Sequence, residues 1–496
     1  MPDRWTEEQS RAITARGDLH VSAAAGAGKT AVLTERIARL IAEGTEVEEL
    51  LVVTFTKAAA AEMKGRIASR LLTLSSEASQ AGEEELARRL AAASAACERA
   101  NISTIHSFCG GVLRRNYHEA GIDPGFAVSD GAQADLLAKD ALDAVLEEAF
   151  LRNESEPDEA FKALLAAVGD DERLAGLIHS VYKYAMAKPE PEAWLDRAVN
   201  IYGDGFMESS GQIAGAMLSA AARELQVHLD KATELRTALG DECPKTAATL
   251  DDDRSILLSL ILTNDYDAMH NALSRVVFRS LTWPKGVDED QKKPYKDYRK
   301  AMKDHVGKLE KLFAFPISEE ARFARMLAGP IECLRRLTLA FRDEFTRLKA
   351  EAGMIDFTDM EQLTLKVLRV PGVAAEYRQR FKHVFVDEYQ DINPAQEAIL
   401  AAVSRNNRFM VGDVKQSIYR FRQAEPEIFL NKYRTYSGEG GKKRIDLNRN
   451  FRSDTAILDS ANLLFRRLMR GDEAGEIDYD DNAALVSGRA DPPCGE

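Results

Sequence analysis

Residues 19–30 read LHVSAAAGAGKT, and the expected architecture follows from this segment. Leu19–Ser22 predicts a short strand, and Lys29–Ala42 carries apolar residues at the spacing of a helix. A Gly/Ala turn that joins a strand to a helix and ends in Gly-Lys-Thr is typical of a phosphate-binding loop. The segment therefore predicts an α/β protein with a phosphate site at this turn.

The turn has the residue types that hold a nucleotide phosphate. The main-chain N–H groups of such a turn and of the helix behind it can bind phosphate oxygens, here from Ala25, Gly26, Ala27 and Gly28. Lys29 would reach the β- and γ-phosphates, and the Thr30 hydroxyl would bind Mg²⁺. The general pattern begins with Gly where this chain has Ala23, so a strand–helix turn without a ligand is the alternative.

Strands and helices alternate on both sides of a long helical region. The predicted strands are Leu50–Thr54, Asn101–Thr104, His383–Val386 and Arg408–Val411, and the predicted helices are Thr56–Leu74, one from His106, Asp135–Leu151 and Gly211–Leu239. Between about residues 123 and 346 the strand pattern is absent. A doubly wound parallel sheet, interrupted by a large and mainly helical insertion, is therefore the expected α/β fold.

Composition limits the class of protein. The chain has 496 residues, of which 45% are hydrophobic, and a formal net charge of −14, which excludes a largely disordered chain and a uniformly basic surface. No apolar run approaches the ~18 residues of a membrane span, and no signal peptide is visible. The five cysteines are scattered without a CxxC pair. This favours a reducing cytoplasm and argues against a zinc site formed wholly within this chain.

Two acidic residues follow the predicted strand His383–Val386. Asp387 and Glu388 would stand at the carboxyl edge of the sheet, where ligands bind in such folds. Asp387 would hold Mg²⁺ through its water shell, and Glu388 would orient and deprotonate an attacking water. A structural Asp-Glu pair after a strand is the alternative, which a phosphate-binding loop in the same chain disfavours.

Residues 412–422 read GDVKQSIYRFR and follow another predicted strand. Gln416 would sense the γ-phosphate from just beyond the strand. Tyr419 and Phe421, interleaved with Arg420 and Arg422, suit base stacking and phosphate contact on single-stranded DNA. An ordinary loop with its aromatic side chains in the core is the alternative.

Two further stretches carry candidate nucleotide contacts. In NRNFRS at residues 448–453, Arg452 would place a guanidinium on the γ-phosphate, and Phe451 would stack on adenine. A surface arginine is the alternative for Arg452. Near the N-terminus, Gln9 would read the edge of adenine, but a helix cap formed by Thr6 is the favoured interpretation of that stretch taken alone.

The two strands predicted before residue 120 end in hydroxyl and aromatic groups. Thr54 and Phe55 follow one strand, and Thr104 and His106 follow the other. These side chains are candidates for contact with DNA backbone and bases. A core or capping role is the alternative for each of them.

One segment of the helical region is locally basic. Lys285–Lys311 holds nine Lys or Arg and six Asp or Glu, with Trp283, Tyr295 and Tyr298 nearby. Phosphate contacts there would make DNA binding depend on salt. A solvated helix of mixed charge is the alternative.

Taken in order, the motifs resemble those of the superfamily 1 helicases of the UvrD/RecB group. The matching stretches are Gln9, GAGKT, TFTKAAAAEM, STIHSF, VDEYQD, GDVKQSIYRFR and NRNFRS. The similarity extends to the AddA subfamily, the helicase–nuclease subunits of bacterial AddAB complexes, through VYKYAMAKPEPEAW, MIDFTD and FRQAEP. Phe421 stands where many relatives of UvrD carry Trp, so stacking is expected to persist in a weaker form.

This resemblance implies an ATP- and Mg²⁺-dependent helicase that moves 3′ to 5′ along single-stranded DNA. It also implies action at duplex DNA ends in double-strand-break repair, together with an AddB-like partner subunit in a heterodimer. The resemblance assigns the roles given above to Gln9, Lys29, Thr30, Asp387, Glu388, Arg452, Phe55, His106, Tyr419 and Phe421. It adds that Gln416 couples the nucleotide to DNA.

The resemblance further implies a division into domains. A RecA-like ATPase domain 1A would comprise residues 1–120 and 346–453, a helical insertion domain 1B residues 121–345, and a second RecA-like domain 2A would begin at 454–496. Later motor motifs and the nuclease site are not visible, so the chain is expected to be the N-terminal part of a longer protein with impaired hydrolysis in isolation. The alternatives are a UvrD-like repair helicase without a nuclease and a non-catalytic DNA-end-binding module.

Overall fold

The computed structural model describes residues 5–129, 131–203, 205–240, 243–437, 441–469, 478–481 and 483–489. The strands are β1 (Asp18–Ala23), β2 (Leu50–Thr54), β3 (Asn101–Thr104), β4 (Ala127–Val128), β5 (Met354–Ile355), β6 (His383–Val386), β7 (Arg408–Gly412), β8 (Lys442–Leu447), β9 (Arg449–Asn450) and β10 (Val486–Ser487). The helices of the α/β part are α1 (Glu7–Thr14), α2 (Lys29–Ala42), α3 (Lys57–Gln80), α4 (Glu84–Ala96), α5 (Ile105–Arg115), α6 (Tyr117–Ala120), α16 (Phe357–Leu368), α17 (Pro371–Arg380), α18 (Pro394–Ala402), α19 (Pro426–Thr435) and α20 (Thr455–Leu468). The helices of the long helical region are α7 (Gly131–Ser155), α8 (Glu159–Val168), α9 (Asp171–Met186), α10 (Pro191–Tyr202), α11 (Phe206–Leu239), α12 (Pro244–Ile261), α13 (Tyr266–Leu273), α14 (Glu289–Leu312) and α15 (Ile317–Glu351).

A six-stranded parallel sheet in the order β3-β2-β6-β7-β1-β8 forms the centre of the α/β part. β1, β2 and β3 precede the helical region, and β6, β7 and β8 follow it, so one sheet is built from both ends of the chain. Because all six strands run the same way, their carboxyl ends meet at one edge. The predicted α/β fold, a parallel sheet interrupted by a mainly helical insertion, is confirmed.

Alternate residues of the strands pack into two hydrophobic cores on opposite faces of the sheet. In β7, Phe409 and Val411 belong to the core that contains α2, whereas Met410 belongs to the core that contains α18. This follows from the two-residue period of a strand, and burial on both faces gives the continuous apolar runs seen in the sequence.

Among the described residues, five strands were not predicted: the edge strand β8 and the two-residue strands β4, β5, β9 and β10. In β8, Lys442, Lys443 and Arg444 are exposed and only Ile445 and Leu447 are buried, so this edge strand lacks the apolar run of its neighbours. β4 pairs in parallel with β5. The expectation that strands are absent between about residues 123 and 346 is therefore wrong at β4, which is too short to form a pattern.

The helical region has two cores of its own. One lies between α7, α8, α9 and α15, and it includes Leu174 and Phe341. The other lies between α11, α12, α13 and α14, and it includes Met269, Met302 and Phe313. Among the described residues, no helix combines the length and the apolar character that crossing a membrane requires.

His20 on β1 is buried in an aromatic cluster. Its ring lies edge-on to Phe429 at a centroid distance of 4.2 Å, with Tyr389, Tyr433 and Tyr436 around it. Neither ring nitrogen has a hydrogen-bond partner in the described part of the chain. Burial lowers the pKa of His20 to about 3, and nearby Lys432 and Arg444 add to that shift. The imidazole is therefore neutral in the folded protein.

We expect His20→Phe to flatten the acid side of the stability profile. Folded His20 has a pKa of about 3, whereas the unfolded chain protonates it near pH 6.5. The unfolded state binds more protons between these values, so stability is lost as the pH falls below about 6.5. At about pH 5 the loss due to His20 is roughly 2 kcal/mol.

Urea unfolding of both proteins near pH 7.5 and pH 5 measures this difference. The fall in the free energy of unfolding between the two pH values should be smaller for His20→Phe than for the wild type. Equal falls in the two proteins would show that His20 is not responsible.

Candidate active site and nucleic-acid interface

The predicted phosphate-binding turn joins β1 to α2 at the carboxyl edge of the sheet. The N–H of Ala24 donates to the carbonyl of Leu447 at 2.9 Å, which ties the turn to β8. Gly26 and Gly28 have φ angles of +71° and +81°, which residues with a side chain rarely adopt. Gly28 is the N-cap of α2 and has no side chain to occupy the N–H groups of the first turn. These groups can therefore bind an anion.

Lys29 and the two carboxylates meet beside this turn. Lys29 Nζ lies 3.2 Å from Glu388 Oε2. Burial raises the pKa of Asp387 to about 6, the charge of Glu388 adds to that shift, and Lys29 partly offsets it. Glu388 has a φ of +50°, a strained conformation of the kind found at functional sites. The structure thus brings together three of the predicted site residues.

Gln416 lies on the short 3₁₀ turn Val414–Gln416 that follows β7. Its Nε2 donates to Asp413 Oδ2 at 2.7 Å. The N–H of Asp413 donates to Gln390 Oε1 at 2.9 Å, and Gln390 Nε2 donates to Glu388 Oε2 at 2.8 Å. Sequence reasoning missed Gln390 and Asp413, although both lie inside the motifs that it singled out.

Asn450 is a second group that the sequence did not reveal. It is buried, and its Nδ2 donates to the carbonyl of Ala25 at 2.7 Å. Its Oδ1 accepts from the N–H groups of Arg452 and Ser453 at 2.8 and 2.7 Å. One amide therefore fixes the phosphate-binding turn and the NRNFRS stretch against each other. The only signal in the sequence for this role was the presence of Asn450 within the NRNFRS stretch.

We expect Asn450→Ala to destabilise the fold by about 1–3 kcal/mol, because it leaves buried partners unsatisfied. It should also weaken nucleotide binding several-fold, since Ala25 loses its anchor. The matched control is Asn407→Ala, which removes an amide bonded to the carbonyls of Phe381 and Lys382 at 2.9 and 3.0 Å. Thermal unfolding and titration with a fluorescent ATP analogue separate the two effects. Equal losses of nucleotide affinity in both variants would contradict the anchoring role.

Gln9 lies at the start of α1, where the predicted cap is present. Its N–H donates to Thr6 Oγ1 at 3.2 Å, and its Oε1 accepts from the N–H of Thr6 at 3.0 Å. Its Nε2 donates to the carbonyl of Ala27 at 3.1 Å. The side chain therefore caps the helix and braces the phosphate-binding turn, and adenine recognition by Gln9 stays a prediction.

Phe451 and Arg452 flank the same turn. The N–H of Phe451 donates to the carbonyl of Gly26 at 2.9 Å. Its ring lies against Gly488, where an added Cβ would come within 2.4 Å of the ring. Both residues are exposed, which leaves their side chains accessible to a nucleotide. Their roles toward adenine and the γ-phosphate stay predictions.

An aromatic cluster formed by Phe55, Tyr419, Phe421 and Arg422 lies beyond the carboxyl ends of the strands. The ring centroids of Phe55 and Tyr419 are 4.5 Å apart, and those of Tyr419 and Phe421 are 5.6 Å apart. Arg422 Cζ lies between 5.3 and 5.7 Å from all three centroids. Phe421 is 74% exposed. The structure thus joins two separate motifs into one accessible stacking surface.

The hydroxyls of Thr54 and Thr104 are engaged within the protein. Thr54 is buried, and its Oγ1 donates to the carbonyl of Thr56 at 3.1 Å. Thr104 Oγ1 caps α5 by accepting from the N–H of Ser107 at 3.2 Å. The structure therefore shows the capping alternative for Thr104, and direct contact of either hydroxyl with DNA stays a prediction.

His106 belongs to a second aromatic group. Its Nε2 lies 2.9 Å from Glu361 Oε1, and its ring centroid lies 4.7 Å from that of Phe357. Glu361 is buried and also accepts from Asn393 and Gln396. Phe357 is 54% exposed, and sequence reasoning gave it no role. Its exposure on a helix N-terminus could not be read from the residue pattern.

The basic segment 285–311 is less basic at its surface than its composition suggests. Lys292 and Lys296 both pair with Glu289. Arg299 is buried and binds Asp253 through two contacts of 2.6 and 2.9 Å. Three of the nine basic groups are therefore held by carboxylates, which weakens the prediction of a phosphate-binding patch.

Residues 5–437 match the family described as the UvrD/REP helicase N-terminal domain. The chain belongs to this family, because the match covers most of its length.

Curated relatives are named as subunits of an ATP-dependent helicase/nuclease. The proteins from Alkaliphilus oremlandii and Bacillus velezensis are 38% and 39% identical to this chain over 98% and 99% of its length. The relative from Geobacillus kaustophilus is 39% identical over 99%. The chain spans 41–42% of the length of these relatives.

Proposed function

We propose that the chain is the N-terminal motor part of an ATP-dependent 3′-to-5′ DNA helicase that acts in double-strand-break repair by recombination. The observation that carries this proposal is the placement of three groups at one sheet edge: the phosphate-binding turn, the Asp387–Glu388 pair and the aromatic cluster. The nucleotide and the DNA strand would then both bind at the carboxyl edge of the same sheet. The names of the relatives support the same activity.

The nucleotide would bind at the turn between β1 and α2. The uncapped N–H groups of α2 and the two positive-φ glycines support phosphate binding by residues 25–28. Lys29 would bind the β- and γ-phosphates, and Arg452 would approach the γ-phosphate from the stretch that Asn450 ties to the turn. Gln9 and Phe451 would contact the base.

The donor set at this edge suits Mg²⁺, because the Thr30 hydroxyl and the Asp387 carboxylate are hard oxygen ligands. When bound there, Mg²⁺ would supply positive charge next to the phosphates. Glu388 would accept the proton of the attacking water. Its carboxylate is held for this task by Lys29 and by the amide of Gln390.

Single-stranded DNA would cross the aromatic cluster. Stacking of a base on an accessible ring does not depend on sequence, and a guanidinium beside the rings would contact phosphate. His106 and Phe357 would form a second stacking point, supported by the exposure of Phe357. Thr54 and Thr104 would support this surface, because Thr54 directly precedes Phe55 and Thr104 caps the helix that carries His106.

The larger assembly is proposed from the relatives. Their names describe subunits of an enzyme with both helicase and nuclease activity. A longer protein of this kind would pair with an AddB-like partner, act at duplex ends and work in the cytoplasm. The division into domain 1A at 1–120 and 346–453, domain 1B at 121–345 and domain 2A from 454 is proposed with it.

Binding measurements on this chain test the proposal. We expect saturable, Mg²⁺-dependent binding of a fluorescent ATP analogue and binding of a labelled oligothymidine strand. Anisotropy with the strand, with and without a non-hydrolysable ATP analogue, separates a coupled motor from a passive DNA binder. Absence of nucleotide binding would overturn the motor assignment.

A further inference from the structure

Gln390 lies between Glu388, in the proposed nucleotide site, and the turn that leads to the aromatic cluster. It is 2% exposed and follows Glu388 by two residues. Its amide forms three side-chain hydrogen bonds, since Nε2 also donates to Asp391 Oδ2 at 3.1 Å in addition to Glu388, and Oε1 accepts from the N–H of Asp413. Its main-chain carbonyl accepts from Ser417 Oγ at 3.3 Å.

The segment from Asp413 to Ser417 is fixed by these bonds. Asp413 caps the 3₁₀ turn by accepting from the N–H of Lys415 at 3.1 Å, and it also accepts from Gln416 Nε2. Ser417 holds the far end of the turn against Gln390. Tyr419 follows two residues later and is the central ring of the aromatic cluster. The position of that ring therefore depends on where Gln390 holds the turn.

Gly412 shows how closely this amide fits. A Cβ added at Gly412 would lie 2.2 Å from Gln390 Oε1 and 3.1 Å from the N–H nitrogen of Tyr389. A side chain at this point would displace the amide from β7. The end of β7 thus leaves the space that the Gln390 amide fills.

We propose that Gln390 is a positioning residue that transmits the state of Glu388 to the DNA-binding aromatic cluster. The carboxamide is planar and rigid, with Glu388 on its nitrogen and Asp413 on its oxygen. A displacement of the Glu388 carboxylate therefore pulls on the main chain of Asp413, and with it on the turn that carries Gln416 and leads to Tyr419. This inference rests on the proposed function, because it links two sites assigned there.

The test measures thermodynamic coupling on the full chain. The dissociation constant of a labelled oligothymidine is determined with and without a non-hydrolysable ATP analogue and Mg²⁺, and the ratio of the two constants is the coupling factor. We expect a coupling factor of about fivefold or more in the wild type, the lower end of typical allosteric coupling. The variant Gln390→Met keeps the length of the side chain and removes its hydrogen bonds.

The expected result is a coupling factor within about twofold of one for Gln390→Met, measured as the ratio of the two dissociation constants and not from either affinity alone. A purely structural role would instead lower both affinities and leave their ratio unchanged. An unchanged ratio in Gln390→Met therefore overturns the proposal.

Two further variants make the test robust. Ser417→Ala removes a single hydroxyl and should lower the coupling factor even if Gln390→Met fails to fold. An unchanged factor in Ser417→Ala would count against the proposal.

Gln362→Met is the control, because it removes an amide bonded to the carbonyls of Met186 and Lys188 at 2.5 and 2.8 Å. It should keep the wild-type coupling factor. A wild-type chain that binds both ligands without coupling overturns this inference alone, whereas a chain that does not bind nucleotide overturns the proposed function.

Discussion

Lys29→Ala should abolish measurable binding of the ATP analogue. Lys29 is the one cation with an ion pair to Glu388 among the described residues, and it is the first residue of α2, whose N-cap has no side-chain hydrogen bond. Truncating one partner of a desolvated charge contact costs about 2–5 kcal/mol, which lowers affinity by about 30-fold or more. Fluorescence titration with the Mg²⁺ complex of the analogue measures this loss.

Lys188→Ala is the matched control for Lys29→Ala. Lys188 is as buried as Lys29, with 14% of each side chain exposed, and it pairs with Glu425 at 2.6 Å. It lies outside the phosphate-binding turn, so nucleotide affinity should stay at the wild-type value. Unchanged affinity in Lys29→Ala would reject the phosphate site, and equal losses in both variants would indicate a general effect of losing a buried lysine.

Among substitutions in the aromatic cluster, Tyr419→Ala should produce the largest loss of affinity for single-stranded DNA. Tyr419 contacts Phe55 and Phe421, and Arg422 lies over its ring at 5.3 Å, so its removal separates the whole cluster. Stacking of one base contributes about 1–3 kcal/mol, which predicts a loss of roughly 5- to 150-fold. Anisotropy of a labelled oligothymidine measures the change.

Tyr184→Ala is the control for Tyr419→Ala. Tyr184 is an exposed tyrosine on α9 that packs on Trp194 at a centroid distance of 5.1 Å and carries Lys188 over its ring. It has the same cation and aromatic character but lies outside the aromatic cluster, so DNA affinity should not change. Equal losses in the two variants, or no loss in Tyr419→Ala, would contradict the assignment of the cluster as the DNA surface.

The parts of the fold that the sequence predicted are those with a strong local pattern. β2 and β6 lie at the predicted residues because each is a mostly buried apolar run. β3 also lies at the predicted residues, although it is an edge strand in which only Ile102 and Thr104 are buried. α2 begins at Lys29, as predicted from the Gly-Lys-Thr turn and the helical spacing behind it. β8 was missed because an exposed edge strand with three basic residues has no such pattern.

The candidate site was predictable in its residue types and less so in its connections. Lys29, Asp387 and Glu388 were expected together because parallel strands end at a common edge. The bonds made by Gln390 and Asn450 join segments that are distant in the chain, and no spacing rule reveals them. The hydroxyls of Thr54 and Thr104 form hydrogen bonds with the main chain of the protein itself. These bonds depend on side-chain rotamers, which the residue pattern does not determine.

A crystal structure of the chain with a non-hydrolysable ATP analogue, Mg²⁺ and a short oligothymidine places both ligands at once. We expect the phosphates against residues 25–30 with the metal near Thr30 and Asp387, and a base stacked on the cluster of Phe55, Tyr419 and Phe421. Nucleotide bound away from the turn between β1 and α2, or DNA bound to a surface without these rings, would contradict the proposed motor.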